Sequence, residues 1–469
     1  MCIRALVLAN VLAVSTASAQ VNDPRPPVSQ TFTLAQALQY ALDHYPSVRS
    51  ALEQVNVSAA NVSVAKTAYL PRLDALWQTN RATANNIFGQ LLPQSVIPSL
   101  SGPVLPDSSG QSVWGSAAGA LFSWEPFDLG VRDATVREAE AAVLRARAEQ
   151  TLTQLAVQQA VGVAFLAVAT AQQVVTAAES DVQRRHVLAD AAHTLADNQL
   201  RPGADASRAD AEFAAARTRS IQARQTLVVA QASLAQVLGI PDGQVTLDTT
   251  GLLKATTPAD SAPTAPGSHP FAQVEQAAIE VARARESVLA KTNLPRLFLQ
   301  SSAFARGSGA NPDRPFDGGA SGLGLERANW AAGVQIVFPN LFDFASLHAR
   351  QSAAAAATRA EMARHDEAVL TVTAQQRTAD ALVDAARAIA QNTPIQLAAA
   401  QQSETQARAR YDAGLASVVE VAESQNLLAS AEYQDAAAHV DVWRALLSRA
   451  VAGGSLGDFI ERLRVSGGR

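Results

Sequence analysis

Cysteine is almost absent from this sequence, because Cys2 is the only one among 469 residues. Cys2 lies inside a predicted export signal, so the mature chain is expected to contain no cysteine. That expectation excludes disulfides, thiolate nucleophiles and thiolate metal sites together. The small-residue lipobox that would make Cys2 a lipid anchor does not precede it.

Charged and aromatic residues are also scarce, at 17% and 5%, whereas apolar residues, many of them alanine, reach 48%. Abundant Ala, Gln, Glu and Arg with few aromatics favour closely packed helices over a thick globular core. Acidic and basic residues alternate along the chain, which is typical of solvated helix faces. The net charge of −5 gives no basic patch for nucleic acid.

The first 19 residues have the pattern of a secretory signal peptide. Arg4 supplies the positive region, residues 5–14 are apolar apart from Asn10, and residues 17–19 form an A-x-A cleavage site. Residues 20–30 would then be an N-terminal linker. The later stretch 160–171 is too short to cross a bilayer as a helix. An exported chain of this kind is either soluble or crosses a membrane as strands.

Short segments recur in the same order along the chain, which indicates an internal duplication. We place the first repeat at 31–255, a linker at 256–268, the second repeat at 269–453 and a flexible tail at 454–469. The recurring pairs are 65–73 with 290–297, 126–130 with 341–345, 200–203 with 411–414 and, loosely, 44–46 with 269–270.

Each repeat is predicted to run helix, strand, loop, strand and then a very long helix. The first helix is expected over 34–68. Proline is absent from 127–201 and from 203–240, and about 70 helical residues would reach roughly 100 Å. Pro394 should kink or break the long helix of the second repeat.

Heptad spacing along these helices predicts coiled-coil packing. Val161, Val168, Val175 and Val182 fall seven residues apart, as do Leu227 and Leu234. Such spacing keeps one seam against a neighbouring helix. A plain amphipathic bundle gives a similar pattern, and the helix length favours the coiled coil.

The predicted strands alternate apolar residues with small or polar ones, as membrane barrel strands do. A soluble sandwich has the same period, so alternation alone does not decide between them. Four strands per chain cannot close a barrel, since the smallest membrane barrels use about eight, and the chain must therefore oligomerise. The aromatic residues expected to face lipid are Trp114, Phe122, Trp124, Trp330 and Phe338.

Taken together, these segments resemble the outer-membrane efflux, or TolC-like, proteins over about residues 31–453. The motifs that carry the resemblance are 68–73 before a strand, 127–130 at the start of a long helix and 410–415 at a hairpin tip. The resemblance implies a mainly helical fold with membrane strands. It implies a homotrimer in which four strands per chain close a twelve-stranded barrel above a periplasmic tunnel of antiparallel coiled coils.

The resemblance also implies partners and a place in the cell. The chain would lie in outer-membrane lipid and dock on a periplasmic adaptor (membrane fusion) protein and an inner-membrane pump of the resistance-nodulation-division type. Its hairpin tips would form the closed entrance and the adaptor contact, which assigns these roles to Gly203, Arg410, Tyr411, Gly414, Leu415 and Ser417.

Two further expectations concern the tips. Gly203 and Gly414 each suit a turn that needs a left-handed residue. Gln199 and Leu200 stand in the first repeat where Arg410 and Tyr411 stand in the second, so the sequence gives no support for a polar clamp between the tips.

Glu420 and Glu423 lie three residues apart, on one helix face. Their positions resemble the acidic entrance ring of the family, where crowded carboxylates would bind cations. Two solvated glutamates are the ordinary alternative.

The leading interpretation is a passive exit duct for small toxic molecules or drugs, without cofactor or enzymatic chemistry. The alternatives are the outer component of type I protein secretion and, from another class, a soluble periplasmic coiled-coil scaffold. The G-x-S-x-G match at 453–457 lacks the strand that a nucleophile elbow needs. His186 and His193 lack a joining carboxylate set for a metal.

Overall fold

The computed structural model describes residues 31–86, 89–98, 104, 108, 110–240, 246–249, 264–310, 320–340 and 342–467. The predicted signal peptide (1–19), the 20–30 linker and most of the 256–268 linker lie outside the described residues.

The predicted fold class is confirmed, because long antiparallel helices are joined to one four-stranded sheet. A short parallel pair, β1 (Thr31–Phe32) with β4 (Thr246–Leu247), accompanies them. The first half contains α1 (Leu34–His44), α2 (Pro46–Thr67), β2 (Arg72–Thr83), β3 (Ser112–Phe127), α3 (Val131–Asp197) and α4 (Gly203–Leu238). The second half contains α5 (Pro270–Lys291), β5 (Arg296–Ser308), β6 (Arg327–Val337), α6 (Phe344–Asp412), α7 (Val418–Ala452) and α8 (Gly457–Gly467).

The two longest helices are α3, with 67 residues, and α6, with 69. At 1.5 Å per residue each reaches roughly 100 Å. By length and composition α3 is the one helix in the described ranges that could cross a membrane. Three of its apolar residues, Val161, Phe165 and Val168, are fully buried in the core that α3 forms with α1, α4 and α7. The two later heptad valines are only half-buried.

A glycine allows two of these helices to approach closely. A Cβ atom built on Gly162, in the middle of α3, would lie 2.6 Å from Leu447 Cδ2 of α7. Leu447 is buried to 1% exposure. The cost of a mid-helix glycine, about 1 kcal/mol, is therefore offset by packing that a larger residue would prevent.

The single helix predicted over 34–68 is wrong, and a break at Pro394, one of the two outcomes predicted there, does not occur. The helix expected over 34–68 is divided at Tyr45, whose backbone is extended (ψ 131°) because Pro46 disfavours a helical residue before it. Pro394 does not break α6. Buried residues on either side, Val383 and Ala400, hold that helix in place across the lost hydrogen bond.

The tail predicted to be flexible also differs from expectation. Within 454–469, α8 folds back onto the main core, where Leu456 and Phe459 are 2% and 3% exposed. Phe459 packs edge-on against Trp443, with ring centroids 6.0 Å apart. Burial of two large apolar side chains provides the driving force for this docking.

The sheet is antiparallel throughout, with strand order β2-β3-β5-β6, so β2 and β6 are its edges. Because side chains alternate along a strand, the register divides them between two faces. We call these the apolar face and the polar face. The apolar face carries Leu73, Trp77, Trp114, Phe122, Trp124, Trp330 and Val334, and the polar face carries Asp74, Gln78, Asn80, Gln300, Arg306 and Gln335.

The apolar face has the height of a membrane band. Trp114 and Trp124 lie ten residues apart on β3, which is about 33 Å along a strand. A tilt of about 40° reduces this to roughly 25 Å, the height of the apolar band of outer-membrane barrels. Trp330 is 80% exposed and pairs with Ala303 near the middle of the face rather than at its end. Phe338 lies one residue beyond β6.

The junction between β3 and α3 is built around Asp128 and Arg132, both buried. The Asp128 carboxylate accepts hydrogen bonds from the backbone N–H groups of Gly130 (3.0 Å) and Arg132 (2.6 Å) and from Arg132 Nε (3.0 Å). Arg132 Nη1 in turn donates to the carbonyl of Ala68 (3.1 Å), and its guanidinium lies over the Tyr69 ring at 4.8 Å. Arg132 therefore links the two recurring motifs of the first repeat, 65–73 and 126–130.

The two repeats differ at this junction. Burial raises the pKa of the Asp128 carboxyl, but the Arg132 and Gly130 N–H groups and the Arg132 guanidinium outweigh it and hold the net pKa below its ordinary value. In the second repeat Asp343 precedes α6 and makes no side-chain cap. Asp343 is thus a natural control for Asp128.

We expect Asp128→Asn to lower the free energy of unfolding by about 2 kcal/mol, as for a lost buried charge-assisted hydrogen bond. The native pKa is depressed, so this stabilisation is present above pH about 4 and is lost as the pH falls further. Thermal unfolding of the detergent-solubilised protein between pH 3 and 7 measures it. Asp343→Asn should have little effect, and equal effects of both variants would contradict the account.

Candidate functional site: the helical hairpin tips

The two hairpin turns have the same backbone geometry. At the end of α3 the N–H of Leu200 donates to the carbonyl of Leu195 (2.9 Å), and at the end of α6 the N–H of Leu415 donates to that of Arg410 (2.7 Å). A second, shorter bond accompanies each, from Gln199 to Ala196 (2.9 Å) and from Gly414 to Tyr411 (3.0 Å). This pair of bonds is the Schellman motif, which needs a left-handed residue after the helix.

The left-handed residue of the first tip is Gln199 (φ 59°), not Gly203 as predicted. Gly203 is the first residue of α4 and follows the N-cap Pro202. The second tip agrees with expectation, since Gly414 has φ 76°. The structural counterpart of Gly414 is therefore Gln199, and the sequence alignment of 200–203 with 411–414 is out of register.

A polar clamp joins the two tips, although the residues at the turns did not predict one. Arg201 Nη2 donates to the carbonyls of Ala416 (3.1 Å) and Tyr411 (3.4 Å). The Arg201 guanidinium also lies 5.0 Å from the centroid of the Tyr411 ring, within the range of a cation–π contact. Arg201 was not among the predicted site residues, and its place beside Leu200, at the turn itself, was the available signal.

Tyr411 anchors the clamp from inside. It is 2% exposed among alanines and valines of α3, α4, α6 and α7. Burial raises the pKa of its phenol, opposed by Arg201 and reinforced by Asp205 and Asp412. Its hydroxyl has no hydrogen-bond partner within the described part of the chain. The ring therefore acts as a neutral platform for Arg201 rather than as a titrating group.

The start of α7 contains a second set of contacts. Ser417 is the N-cap, and its hydroxyl accepts a hydrogen bond from the N–H of Glu420 (3.4 Å). Arg410 Nη1 lies 2.9 Å from Glu420 Oε1. The predicted pair Glu420 and Glu423 is thus divided: Glu420 is ion-paired within the chain, and Glu423 is exposed. Leu415 is 72% exposed at the end of the hairpin.

A buried ionic cluster ties the hairpins together above the tips. Arg185 is 1% exposed and contacts Asp181 (2.9 Å), Glu212 (2.8 Å) and Asn426 (2.8 Å). It therefore joins α3, α4 and α7, about 18 Å from the end of α3. Breaking such a buried pair is costly because it leaves an uncompensated charge. The cluster therefore ties α3, α4 and α7 together at this level.

Other motifs do not form a chemical site. His186 contacts Asp190 (2.7 Å) and His193 contacts Asp210 (2.9 Å). These two histidines therefore pair with different carboxylates and do not share a site. No group of three or more potential metal ligands occurs within the described ranges. Residues 453–457 follow α7 as a helix stop, with Gly454 at φ 83°.

The fold and the tips define a class of protein: a channel subunit whose long helical hairpins carry part of a membrane barrel. A model described as outer membrane efflux protein matches residues 37–240 and 268–449. The chain belongs to the outer membrane efflux protein family. It is accordingly an outer-membrane exit duct, a passive channel rather than an enzyme.

Individual relatives are similar to the chain over most of their length, and two solved structures share its fold. Protein CyaE of Bordetella pertussis is 26% identical over 450 residues, which cover 94% of this chain and 88% of that protein. The structure of VceC from Vibrio cholerae is similar with a TM-score of 0.69 and 18% identity, covering 90% of this chain and 96% of that one. The Campylobacter jejuni CmeC outer membrane channel gives 0.72 and 14%, covering 92% and 89%.

We expect Arg201→Ala to loosen the tips and to raise the open-channel probability in planar bilayers. Loss of charge-assisted hydrogen bonds should shift the closed–open equilibrium by about tenfold. Arg208→Ala, at an exposed arginine in the first part of the following helix α4, is the matched control. Unchanged gating in Arg201→Ala would show that the clamp does not hold the entrance.

Proposed function

We propose that three copies of the chain form the outer-membrane duct of a tripartite efflux system, which passively conducts small toxic molecules or drugs. A periplasmic adaptor protein and an inner-membrane pump of the resistance-nodulation-division type would deliver the cargo. The observation that carries the proposal is the open, lipid-suited sheet: ten of the eleven residues of β6 are exposed, and both edges lack a partner strand among the described residues.

A homotrimer satisfies these edges. Four strands in each of three copies give a twelve-stranded barrel, with β6 of one copy beside β2 of the next. In lipid an unpaired backbone polar group costs several kcal/mol, so open edges are not tolerated there. The exposed Trp77 and Trp330 of the apolar face would then contact lipid. A soluble scaffold, the alternative of another class, gives no reason for such a face.

The helices would form the periplasmic tunnel below the barrel. Both α3 and α6 begin directly after strands of the sheet, and at roughly 100 Å each they extend far beyond a membrane. The tips lie at the distal ends of these helices. Exposed Leu415 offers an adaptor an apolar contact next to the flexible backbone of Gly414.

The acidic entrance ring is proposed in a modified form. Arg410 compensates Glu420 within each copy, so the uncompensated charge at the entrance would come from Glu423. Three such carboxylates near the axis would attract cations and repel one another.

Glu423→Gln should therefore weaken block of the channel by divalent cations more than Glu420→Gln does. Bilayer recordings with added Mg²⁺ measure the blocking concentration for each variant. Glu367→Gln, at an exposed position far up α6, controls for the lost charge alone. Equal block in Glu423→Gln and in the unmodified channel would remove the ring from the proposal.

A photo-crosslinking residue at Leu415 in living cells tests the partners. Leu415 is preferred to Ser417 because the Ser417 hydroxyl caps α7. We expect capture of an adaptor that serves a proton-driven drug pump. Leu370, 71% exposed and roughly 60 Å from the tip, is the matched control and should capture less adaptor.

Two other results would change the proposal. Capture of an adaptor that serves an ATP-driven exporter would favour type I protein secretion. Capture of no adaptor, with the chain still in the outer membrane, would contradict the role of the tips.

A further inference from the structure

The segment that follows β2 folds back over the polar face of the sheet. Within residues 89–98, Val96 (9% exposed) and Ile97 (2%) pack against Ala117 and Phe304. The register places Ala117 and Phe304 on the polar face. Half-buried apolar residues complete the cluster, namely Leu76, Leu91 and Leu121.

Hydrogen bonds tie this segment to the sheet at its beginning. Asn80 Nδ2 donates to the carbonyl of Gln90 (2.7 Å), and Arg306 Nη2 donates to that of Gly89 (3.1 Å). Both side chains belong to the polar face. The segment is therefore attached to the face that would line the channel.

The segment also has an internal structure of its own. The Gln94 carboxamide accepts from the N–H groups of Val96 and Ile97, both at 2.7 Å, and donates to the carbonyl of Ile97 at 2.8 Å. One side chain thus shapes the turn that presents Val96 and Ile97 to the sheet.

The register gives the depth that the segment reaches. Leu76, Gly119 and Phe304 pair in one row across three strands. Gly119 lies five residues from both Trp114 and Trp124, or about 16 Å along the strand in each direction. The cluster therefore stands near the middle of the apolar band, well inside the sheet.

We propose that residues 89–98 form a lid within the barrel, a second barrier above the closed tips. The inference rests on the proposed trimer, in which the polar face lines the lumen. Side chains alone fill barrels of about eight strands, so three added segments would occupy much of a twelve-stranded lumen. Two apolar side chains and a few hydrogen bonds hold each lid, so outgoing cargo can displace it while bulky solutes outside are excluded.

Cysteine labelling in intact cells tests the lid. Gln335→Cys introduces a thiol on the polar face of β6, on the helix side of the cluster row, and a bulky, impermeant polyethylene glycol maleimide is added outside. With the native segment we expect slow labelling. Adding Ile97→Asp, which places a charge against Phe304, should accelerate it by about tenfold or more. The chain without the introduced cysteine gives the background.

Leu323→Asp is the matched control. Leu323 is 51% exposed in the turn 320–323. In this turn the carbonyl of Gly322 accepts a hydrogen bond from Ser116 of the apolar face, which the lid does not cover. The lid should therefore stay closed in this variant. Fast labelling with the native segment, or no acceleration by Ile97→Asp in a heat-resistant trimer, would overturn the lid.

A second variant covers the case in which Ile97→Asp does not assemble. Gln94→Ala removes the hydrogen bonds within the segment without adding a charge. Faster labelling in this variant would support the lid, and unchanged labelling would overturn it. Failure of the otherwise native chain to form membrane trimers would overturn the proposed function itself, and the lid with it.

Discussion

Unpaired strand edges constrain this molecule more than any other feature. Each chain contributes four strands to the sheet, and within the described ranges no strand pairs with the outer edges of β2 and β6. Because the hydrocarbon of a bilayer offers no hydrogen-bonding partner, those edges must be closed by other copies before the sheet can lie in lipid. The rest of the architecture follows: strands divided into an apolar and a polar face, helices that leave the same end of the sheet, and tips that must meet near one axis.

The two halves share one plan but not one set of interactions. Asp128 builds a buried junction with Arg132, whereas Asp343 makes no comparable cap. Gln199 takes the strained left-handed position that Gly414 fills easily, at a cost on the order of 1 kcal/mol or more. Arg201, two residues further on, hydrogen-bonds to the second tip. The asymmetry places the strain and the clamp at the same turn, which is the proposed entrance of the duct.

Local patterns predicted the helices and strands well, because alternation of side chains and the absence of proline determine local structure without help from distant residues. They failed where tertiary contacts decide. Pro394 stays within an unbroken α6 because neighbouring residues are buried, and residues 457–467 form α8 because Phe459 reaches the core. The left-handed residue of the first tip was wrongly predicted to be a glycine, Gly203, because a glutamine, Gln199, holds that position. The Arg201 clamp was missed, because the place of Arg201 at the turn is visible in the sequence but its contact with residue 411 is made only by the fold.

The number of chains in the membrane-extracted protein tests the central claim most directly. Native mass spectrometry of the detergent-solubilised outer-membrane fraction measures it without reference to cargo or partners. The account predicts a particle of three identical chains, because three times four strands close the barrel. A monomer or a dimer that is stable in the membrane would contradict it, since either would leave strand edges open to lipid.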